Sequence, residues 1–349
     1  MEFSTALDLL RHAPLHELGR MAFDAKRARF GDVVTYTVNR HINPTNLCVH
    51  ACKFCDFAAK PKDAHAYSLD EAGILDSLQD VELDEVHVVG GLWPTWGFER
   101  SLGLIRNLRA ALPGVWIKAF TAVEVAFFAK LDKLPIEDVL LRLMEAGVDA
   151  LPGGGAEVLS ERIHQQLYAD KIGPEEWLRI HRLSHAIGLP TNCTLLFGHV
   201  ETDEEIIDHL FQLRDLQTQT GGFDAMIPLA YQPGTTRLVE RMASPERCLR
   251  VIALSRLVLD NVAHIKAYWP TLQVETACVA LAFGADDLDG TLGLERIMQL
   301  AKTGAPARMH GERMETLVRD AGQIPRRRSG SFGLSAHCRL TAQHNEALA

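Results

Sequence analysis

The sequence predicts an α/β fold whose core is a partial barrel of six parallel strands. Short β-rich segments alternate with helical segments from residue 33 onward, and glycine-rich or polar loops follow several of the strands. A chain of 349 residues suits one barrel with additions. Hydrophobic residues make up 47% of the chain and charged residues 23%, which is typical of a globular enzyme with a large core.

The chain begins with a helical segment and then a strand. Residues 5–29 carry apolar side chains at helical spacing, which predicts one or two helices packed outside the core. Residues 33–39 are β-rich and predict the first strand, which should end at Asn43 because the following Pro44 restricts the backbone. The other five strands are predicted at residues 85–91, 115–120, 148–151, 190–198 and 223–229.

Helix-start signals lie between these strands. Capping-box patterns that begin at Ser68 and at Thr202 predict helices over 68–79 and 203–218. Ser244 followed by Pro245 predicts a helix that runs to about residue 263. The remaining helices are predicted at residues 97–111, 136–146 and 174–187, and a strand over 264–269 with a helix over 275–283 could complete the barrel.

This order divides the chain into four regions. We expect an N-terminal helical cap over residues 1–32, the barrel core over 33–240 and a barrel-completing region over 241–325. Residues 326–349 are polar and lose periodicity, so we expect this tail to be loosely packed or disordered.

The net charge and the apolar runs limit the partners. A formal net charge of −9 argues against a nucleic-acid binder, which needs a basic face for phosphates. No apolar run approaches the roughly 20 residues that span a bilayer, and the N-terminus lacks an apolar signal region. We therefore expect a cytoplasmic protein with neither membrane nor nucleic acid as a partner.

The cysteines mark the candidate site. Cys48, Cys52 and Cys55 lie within eight residues in a C-x3-C-x2-C pattern directly after the first strand, whereas the other four cysteines are scattered singly. Three thiolates are one ligand short of a closed zinc or four-cysteine iron–sulfur site, so on a [4Fe–4S] cluster they would leave one iron open. The alternative is a structural zinc with His50 or His41 as the fourth ligand, in a binding protein without catalysis.

The loops after the later strands carry the other candidates. Gly90 and Gly91 let the backbone approach a ligand closely, although glycine pairs are also ordinary turn residues. Thr121 with Glu124 could be catalytic or could simply cap a helix. The remaining candidates are Gly154, Gly155 and Glu157 after the fourth strand, and Gly198, His199 and Glu201 after the fifth, where a solvated turn is the alternative.

The cysteine spacing, with Phe54 just before the last cysteine, resembles the signature of the radical S-adenosylmethionine (SAM) superfamily. Several segments together resemble the aminofutalosine synthase family, and the match covers about residues 35–295. Sister families are the dehypoxanthine futalosine cyclases and the coenzyme F420 precursor (F0) synthase subunit, which carry a serine-proline type loop where this chain has residues 118–124. The matching segments are HINPTNLCVHACKFCDF (41–57), HVVGGLWP (87–94), KAFTAVE (118–124), LPGGGAEVLS (151–160), FGHVET (197–202), TGGFDAMIPLA (220–230) and FGADDLDGT (283–291).

The resemblance implies a radical SAM (β/α) barrel, a cofactor and a reaction. Cys48, Cys52 and Cys55 would ligate a [4Fe–4S] cluster whose fourth iron binds SAM. The 5′-deoxyadenosyl radical formed from SAM would add to 3-[(1-carboxyvinyl)oxy]benzoate, giving 6-amino-6-deoxyfutalosine, methionine and CO2 or bicarbonate in menaquinone biosynthesis. A low-potential donor such as flavodoxin or ferredoxin would reduce the cluster.

The resemblance also implies roles for individual residues. Phe54, Gly90, Gly91, Gly154, Gly155, Glu157, Gly198 and Glu201 would bind SAM, and Thr121, Glu124 and His199 are candidates for catalysis. A dianionic substrate needs cations or hydrogen-bond donors, for which Arg40, His41, His87 and Lys118 are the candidates. The chain departs from the family pattern at Trp93, at Asp56 and in the tail after Pro325.

Overall fold

The computed structural model describes residues 1–78 and 82–332. The helices are α1 (Phe3–His12), α2 (Leu15–Phe30), α3 (Glu71–Asp76), α4 (Phe98–Ala111), α5 (Ala122–Asp132), α6 (Ile136–Ala146), α7 (Glu161–Leu167), α8 (Pro174–Ala186), α9 (Asp203–Thr220), α10 (Pro245–Val258), α11 (Trp269–Leu272), α12 (Val274–Ala280), α13 (Ile297–Leu300) and α14 (Gly311–Asp320). The strands are β1 (Val33–Thr37), β2 (Asn39–Ile42), β3 (Glu85–Val88), β4 (Trp116–Ala119), β5 (Thr191–Phe197), β6 (Phe223–Ala230), β7 (His264–Ile265), β8 (Asp287–Gly290) and β9 (Ile324–Arg327).

The strands form three parallel sheets, in the orders β8-β1-β9, β2-β3-β4 and β5-β6-β7. Isolated parallel bridges join the sheets edge to edge, so that eight parallel segments follow one another around a circuit. Residues 148–151, predicted as the fourth strand, take part only through such bridges. The four bridges pair Lys118 with Ala150, Leu151 with Thr191, Lys266 with Asp287, and Arg40 with Gly293. The predicted six-stranded core is thus completed by C-terminal residues, through β7 and β8.

The first predicted strand is divided at Val38. Both backbone groups of Val38 are taken by Asp84: its N–H donates to the Asp84 carboxylate (2.9 Å), and its carbonyl accepts from the Asp84 N–H (2.8 Å). As a result β1 pairs with β8 and β9, whereas β2 pairs with β3. The second half of this strand delivers the cysteine loop to the carboxyl end of the barrel.

Most helix predictions are confirmed, and their errors lie at the ends. The segment over 5–29 forms α1 and α2, and the Thr202 capping box opens α9 as predicted. The box predicted at Ser68 is wrong: Asp70 caps α3, and the Ser68 hydroxyl instead accepts from the Trp96 indole N–H (2.8 Å). The helix from Pro245 ends at Val258 rather than near 263. Residues 79–81 lie outside the described residues.

The described part of the predicted polar tail is packed. Arg326 and Arg327 belong to β9, which pairs with β1, and Arg328 is 1% exposed. For residues 326–332 the expected loose packing is therefore wrong, and the rest of the tail lies outside the described residues. The division into four regions stays a prediction.

Strand alternation separates two environments. Apolar side chains such as Val86, Val88 and Ile117 face the helices and are fully buried. The barrel interior is lined by polar and charged groups, among them Glu85 and Lys118. Within the described residues, no helix is both long and apolar enough to cross a bilayer.

Candidate functional site

A cavity of about 330 Å³ opens at the carboxyl ends of the strands and reaches into the barrel interior. Its wall contains all three clustered cysteines and side chains from β2 to β8 and from the loops after them. The predicted residues that line it are His41, Cys48, Cys52, Phe54, Cys55, His87, Gly90, Lys118, Thr121, Glu124, Gly154, Gly155 and Glu157. The structure therefore brings most of the candidates together around one chamber.

The cysteine loop is held by its backbone and by one lysine. Cys48, Cys52 and Cys55 are free, partly exposed thiols. The Cys48 N–H donates to the carbonyl of Ala59 (3.1 Å). The Lys60 ammonium donates to the carbonyls of Cys48, Val49 and His50 at 2.7, 3.1 and 3.0 Å. The loop is thus shaped before any ligand binds.

Gly91 lets the loop after β3 pack directly on the cysteine loop. Its N–H donates to the Thr45 carbonyl (2.7 Å), and the Val49 N–H donates to the Leu92 carbonyl (2.9 Å). A Cβ at Gly91 would lie 2.2 Å from the carbonyl oxygen of Leu47, a distance that no side chain tolerates. Gly91 itself is therefore needed for contact between the two loops, whereas the neighbouring Gly90 faces the cavity.

Glu124 joins two loops of the site. It completes a capping box with Thr121 at the start of α5, a helix that the sequence did not predict. One carboxylate oxygen accepts from the Gly90 N–H (3.0 Å), and the other accepts from the Thr121 N–H and hydroxyl (2.7 and 2.9 Å). Burial raises the pKa of Glu124 to about 7, although the hydrogen bonds from Gly90 and Thr121 act to lower it. The capping interpretation of Glu124 is correct, and its second contact positions the glycine pair.

Glu157 faces the cysteine loop and is paired with a lysine. Its carboxylate lies against the Lys171 ammonium, and both side chains are largely buried. The ammonium also lies 5.3 Å from the ring centre of Phe54 and 4.5 Å from that of Tyr168. Gly155 and Glu157 both have positive φ, of 94° and 49°, which bends this loop towards the cavity. Sequence reasoning missed Lys171, which comes fourteen residues after its partner and follows no strand.

The candidates after β5 do not line the cavity. The Glu201 carboxylate accepts from the N–H groups of Gly198 (2.6 Å) and His199 (2.9 Å). The His199 ring contacts the Leu196 carbonyl (3.1 Å) and accepts from the Val200 N–H (2.7 Å). The polar groups of Gly198, His199 and Glu201 thus satisfy one another within the turn, outside this cavity, and their part in the site stays a prediction.

Three basic side chains lie in one row across the chamber floor. His41 of β2 pairs in register with His87 of β3, which pairs with Lys118 of β4. The two imidazole rings are 4.6 Å apart between centroids. Arg40, also predicted to contact substrate, does not line the cavity, because neighbouring side chains on a strand point to opposite faces. It lies instead against Gly293.

Each fixed charge at the chamber floor has a partner. Lys118 donates to Glu85 (3.0 Å) and Lys266 to Asp289 (2.6 Å), and all four side chains are at most 8% exposed. Burial lowers the pKa of His41 to about 4 and that of His87 well below its usual value, so both rings are neutral at pH 7. Sequence reasoning missed Glu85, Lys266 and Asp289, together with Asn192.

The donor set fits an iron–sulfur cluster with an open position. Three thiols of one loop face the cavity, which His50 also lines. Among residues 1–78 and 82–332, no three His, Cys, Asp or Glu side chains are close enough to hold a single metal ion, the three cysteines included, whereas a [4Fe–4S] cluster takes each thiolate on a different iron. Burial raises the pKa of the Cys52 thiol to about 12 and also raises that of Cys55, so these groups stay protonated unless a metal centre takes them as thiolates.

The departures from the family pattern have local explanations. The Asp56 carboxylate accepts from the N–H of Thr235 (2.9 Å) and from its hydroxyl, which ties the cysteine loop to the loop after β6. Trp93 caps the 3-10 turn Pro94–Trp96 and does not line the cavity. Neither residue alters the chamber floor.

Comparisons with known proteins agree with this site. Residues 42–213 match the radical SAM superfamily, and residues 220–339 match the C-terminal region described as CofH/MqnC. The chain is 38% identical to an aminodeoxyfutalosine synthase of Thermus thermophilus over 340 residues, which cover 95% of this chain and 91% of the relative. It is 39% identical to that of Streptomyces coelicolor over 330 residues, which cover 90% and 85%. Identity to the cyclic dehypoxanthine futalosine synthase of S. coelicolor is 38% over 335 residues, covering 94% and 84%.

Solved structures share the fold. Methylornithine synthase superimposes with a TM-score of 0.70 at 18% identity, covering 93% of this chain and 92% of that one. The [FeFe]-hydrogenase maturase HydG superimposes with a TM-score of 0.71 at 13% identity, covering 93% and 73%. At these identities the likeness concerns the architecture alone.

Proposed function

This chain belongs to the radical SAM superfamily, in the family that contains the aminodeoxyfutalosine synthases, and from this membership we propose that it joins the adenosyl group of SAM to 3-[(1-carboxyvinyl)oxy]benzoate. The products are 6-amino-6-deoxyfutalosine, methionine and CO2 or bicarbonate, and the step belongs to the futalosine route to menaquinone. One observation carries the proposal: three free thiols of one loop face a chamber lined by polar side chains, in a chain that covers at least 85% of two such synthases.

The cysteine loop would hold the cofactor. Cys48, Cys52 and Cys55 would bind a [4Fe–4S] cluster, and the amine and carboxylate of SAM would bind its fourth iron. When bound, the cluster supplies the electron that cleaves SAM into methionine and a 5′-deoxyadenosyl radical. The protein fixes the geometry through Lys60, which holds three successive carbonyls of the loop, and through Gly91, which lets the neighbouring loop pack against it.

The loops after β3 and after residues 148–151 would form the SAM site. The backbone of Gly90, Gly154 and Gly155 lines the wall, where the absence of a side chain allows close approach. Glu157 is held by Lys171, and its carboxylate would accept hydrogen bonds from ribose hydroxyls. Glu124 acts as a positioning residue, since both of its carboxylate oxygens already accept hydrogen bonds from Gly90 and Thr121.

The opposite wall would hold the aromatic substrate. Ile227 and Leu229 of β6, with Ile297 and Met298 of α13, give the cavity an apolar side. A benzoate ring packed there would exclude water from the reacting carbon, which protects a radical from side reactions. The carboxylates of the substrate would then lie towards the polar floor.

A second candidate function is the cyclase reaction of the same pathway. The identity to the cyclic dehypoxanthine futalosine synthase is the same as that to the first aminodeoxyfutalosine synthase, 38%. Segment 118–124 favours the synthase, and the two activities leave different products.

The test is anaerobic reconstitution followed by a coupled assay. We expect a brown protein that contains about four irons and, with SAM, a reductant and the enolpyruvyl benzoate, forms the adenosylated product. Cys52→Ala should lose the iron and the activity, whereas Cys278→Ala, in the outer helix α12, should keep both. Accumulation of 5′-deoxyadenosine without coupled product would overturn the synthase in favour of the cyclase. A purified protein with about one zinc and no iron would overturn both.

We further propose that a low-potential donor such as flavodoxin or ferredoxin reduces the cluster, and that the protein works in the cytoplasm. Both proposals follow from the chemistry, because a reduced and oxygen-sensitive cluster requires an electron source and a reducing compartment.

A further inference from the structure

The chamber floor contains buried polar atoms that the protein leaves without partners. Nε2 of His41 and Nε2 of His87 are fully buried, and neither has a hydrogen-bond partner among the described residues. The same holds for Oδ1 of Asn192, a side chain that is 2% exposed on the neighbouring wall. All three residues line the cavity.

Unpartnered groups of this kind point to a ligand. A buried polar atom without a hydrogen bond costs roughly 1–3 kcal/mol, so three of them around one cavity are a large penalty unless something binds there. The rings of His41 and His87 lie 4.6 Å apart between centroids on the wall of one cavity, close enough for both to contact one carboxylate. Lys118, in register beside His87, uses one N–H for Glu85 and keeps two further donors.

The charges around the two rings cancel. Within residues 1–78 and 82–332, every charged group at the floor beside the rings is in an ion pair, so this part of the chain offers no free cation there to an incoming anion. The pairs are Glu85 with Lys118, Asp289 with Lys266, and Asp287 with Arg328. Farther up the wall, burial raises the pKa of Tyr268 and keeps it neutral, and it raises the pKa values of Glu124 and Glu295 to about 7, so these two carboxyl groups titrate near pH 7.

We propose that the floor of the chamber is a carboxylate subsite in which the imidazole rings of His41 and His87 bind one carboxylate of the substrate, and that binding is accompanied by the uptake of one proton. The proposal rests on the proposed function for the identity of the substrate. The proton is shared by the pair, because with 4.6 Å between ring centres a second positive charge would be strongly repelled.

The sign of the pH dependence follows from this coupling. Burial keeps both rings neutral in the free protein, and a carboxylate against the rings stabilises the protonated form, so the pKa of the pair rises on binding. Between the free and the bound pKa values, affinity falls by about tenfold for each unit of rising pH. At a site of fixed cations, such as a free lysine, the affinity for a carboxylate would change little with pH in that range.

The test is calorimetric titration of the cluster-loaded, oxidised enzyme with SAM, in which no turnover occurs. The enolpyruvyl benzoate is titrated at about pH 6, 7 and 8 in two buffers of different ionisation enthalpy, and benzoate is titrated in parallel as a simpler carboxylate. In wild type we expect uptake of about one proton for each carboxylate bound. His41→Gln and His87→Gln keep a neutral amide donor and should bind more weakly, and the double variant should bind without proton uptake. His12→Gln, on the exposed end of α1, is the matched control and should behave as wild type.

The outcomes separate this inference from the proposed function. Binding without proton uptake in wild type, or uptake unchanged in the double variant, would overturn the subsite even if the enzyme forms the adenosylated product. Proton-coupled binding of benzoate by an enzyme that makes no product would support the subsite and count against the proposed substrate. SAM binding measured in each variant shows that the fold is retained.

Discussion

Replacing Arg328 with methionine tests the charge balance beneath the chamber. The guanidinium is 1% exposed and donates to both carboxylate oxygens of Asp287, at 2.5 and 3.1 Å. Asp287 is itself completely buried, and one of its oxygens also accepts from the Thr35 hydroxyl (2.6 Å). Methionine keeps much of the volume and removes the charge, so the variant leaves a buried carboxylate without its cation.

The expected loss of stability is large. Removing one partner of a buried ion pair costs roughly 3–5 kcal/mol, because the remaining charge is uncompensated. At roughly 2 °C per kcal/mol for a protein of this size, the melting temperature should fall by about 6–10 °C. Arg326→Met, at an exposed position of β9 two residues before Arg328, is the control and should change stability by at most about 0.5 kcal/mol.

The pH dependence of stability should also change sign. In the native protein burial raises the pKa of Asp287, but the charges of Arg328 and Lys266 outweigh burial and leave this pKa below its ordinary value. The carboxylate therefore stabilises the fold at pH values above its unfolded pKa, and this contribution is lost as the pH falls through the folded pKa. Without Arg328 the burial effect dominates, the folded pKa rises, and the variant should gain stability as the pH is lowered from neutral to about 4.

Thermal unfolding between about pH 5 and 8 measures both effects. Adding Asp287→Asn to the Arg328→Met variant removes the unpaired buried carboxylate and should restore part of the lost stability. The reasoning fails if Arg328→Met unfolds at the same temperature as Arg326→Met, or if its stability falls as the pH is lowered in this range.

Three further predictions concern the site. Gly91→Ala should lose bound iron, because its Cβ would meet the Leu47 carbonyl oxygen at 2.2 Å, whereas Gly103→Ala, with open space around it, should keep the iron content of wild type. Glu124→Gln should weaken SAM binding measured by equilibrium dialysis. In wild type, the raised folded pKa of Glu124 should make stability decline as the pH rises from about 4.5 to about 7, and the Glu124→Gln variant should lack this decline. Arg40→Met should leave substrate affinity within about twofold, because Arg40 lies outside the chamber, and a tenfold loss would contradict that placement.

The fold was largely predictable because its periodic segments are long and are bounded by helix-capping residues, prolines and glycines. Apolar spacing located α4, α6, α8 and α9 to within two residues of their observed bounds. Strands such as β8, of four residues, and β9, which contains Pro325, carry too weak a pattern to be recognised from one sequence. Helix α5 was missed for a different reason: it is apolar on nearly every face because it is packed on several sides, so no amphipathic stripe marks it.

The cysteine loop was predictable because its chemistry lies in consecutive residues, and the chamber floor was only partly so. Alternation along a strand separates Arg40 from His41: once His41 is placed inside the barrel, Arg40 must face outward, a step that sequence reasoning could have taken. Asn192 and Lys266 carried no comparable signal, because each lies inside a predicted strand rather than in a loop after one.

The ion-pair partners of Lys266 and Lys118 lie far away in the sequence. Lys266 meets Asp289 from a strand twenty-three residues later, and Lys118 meets Glu85 from one thirty-three residues earlier, so neither pair forms a local motif. Because these cations are already compensated, charge counting along the sequence overstates the positive potential available to an anionic substrate. What remains for the substrate is hydrogen bonding from neutral histidines and, if the carboxylate subsite is correct, a proton taken from solvent on binding. The floor would then carry a positive charge only while the anion is bound. In the free enzyme it would hold no unpaired buried charge, which would cost several kcal/mol.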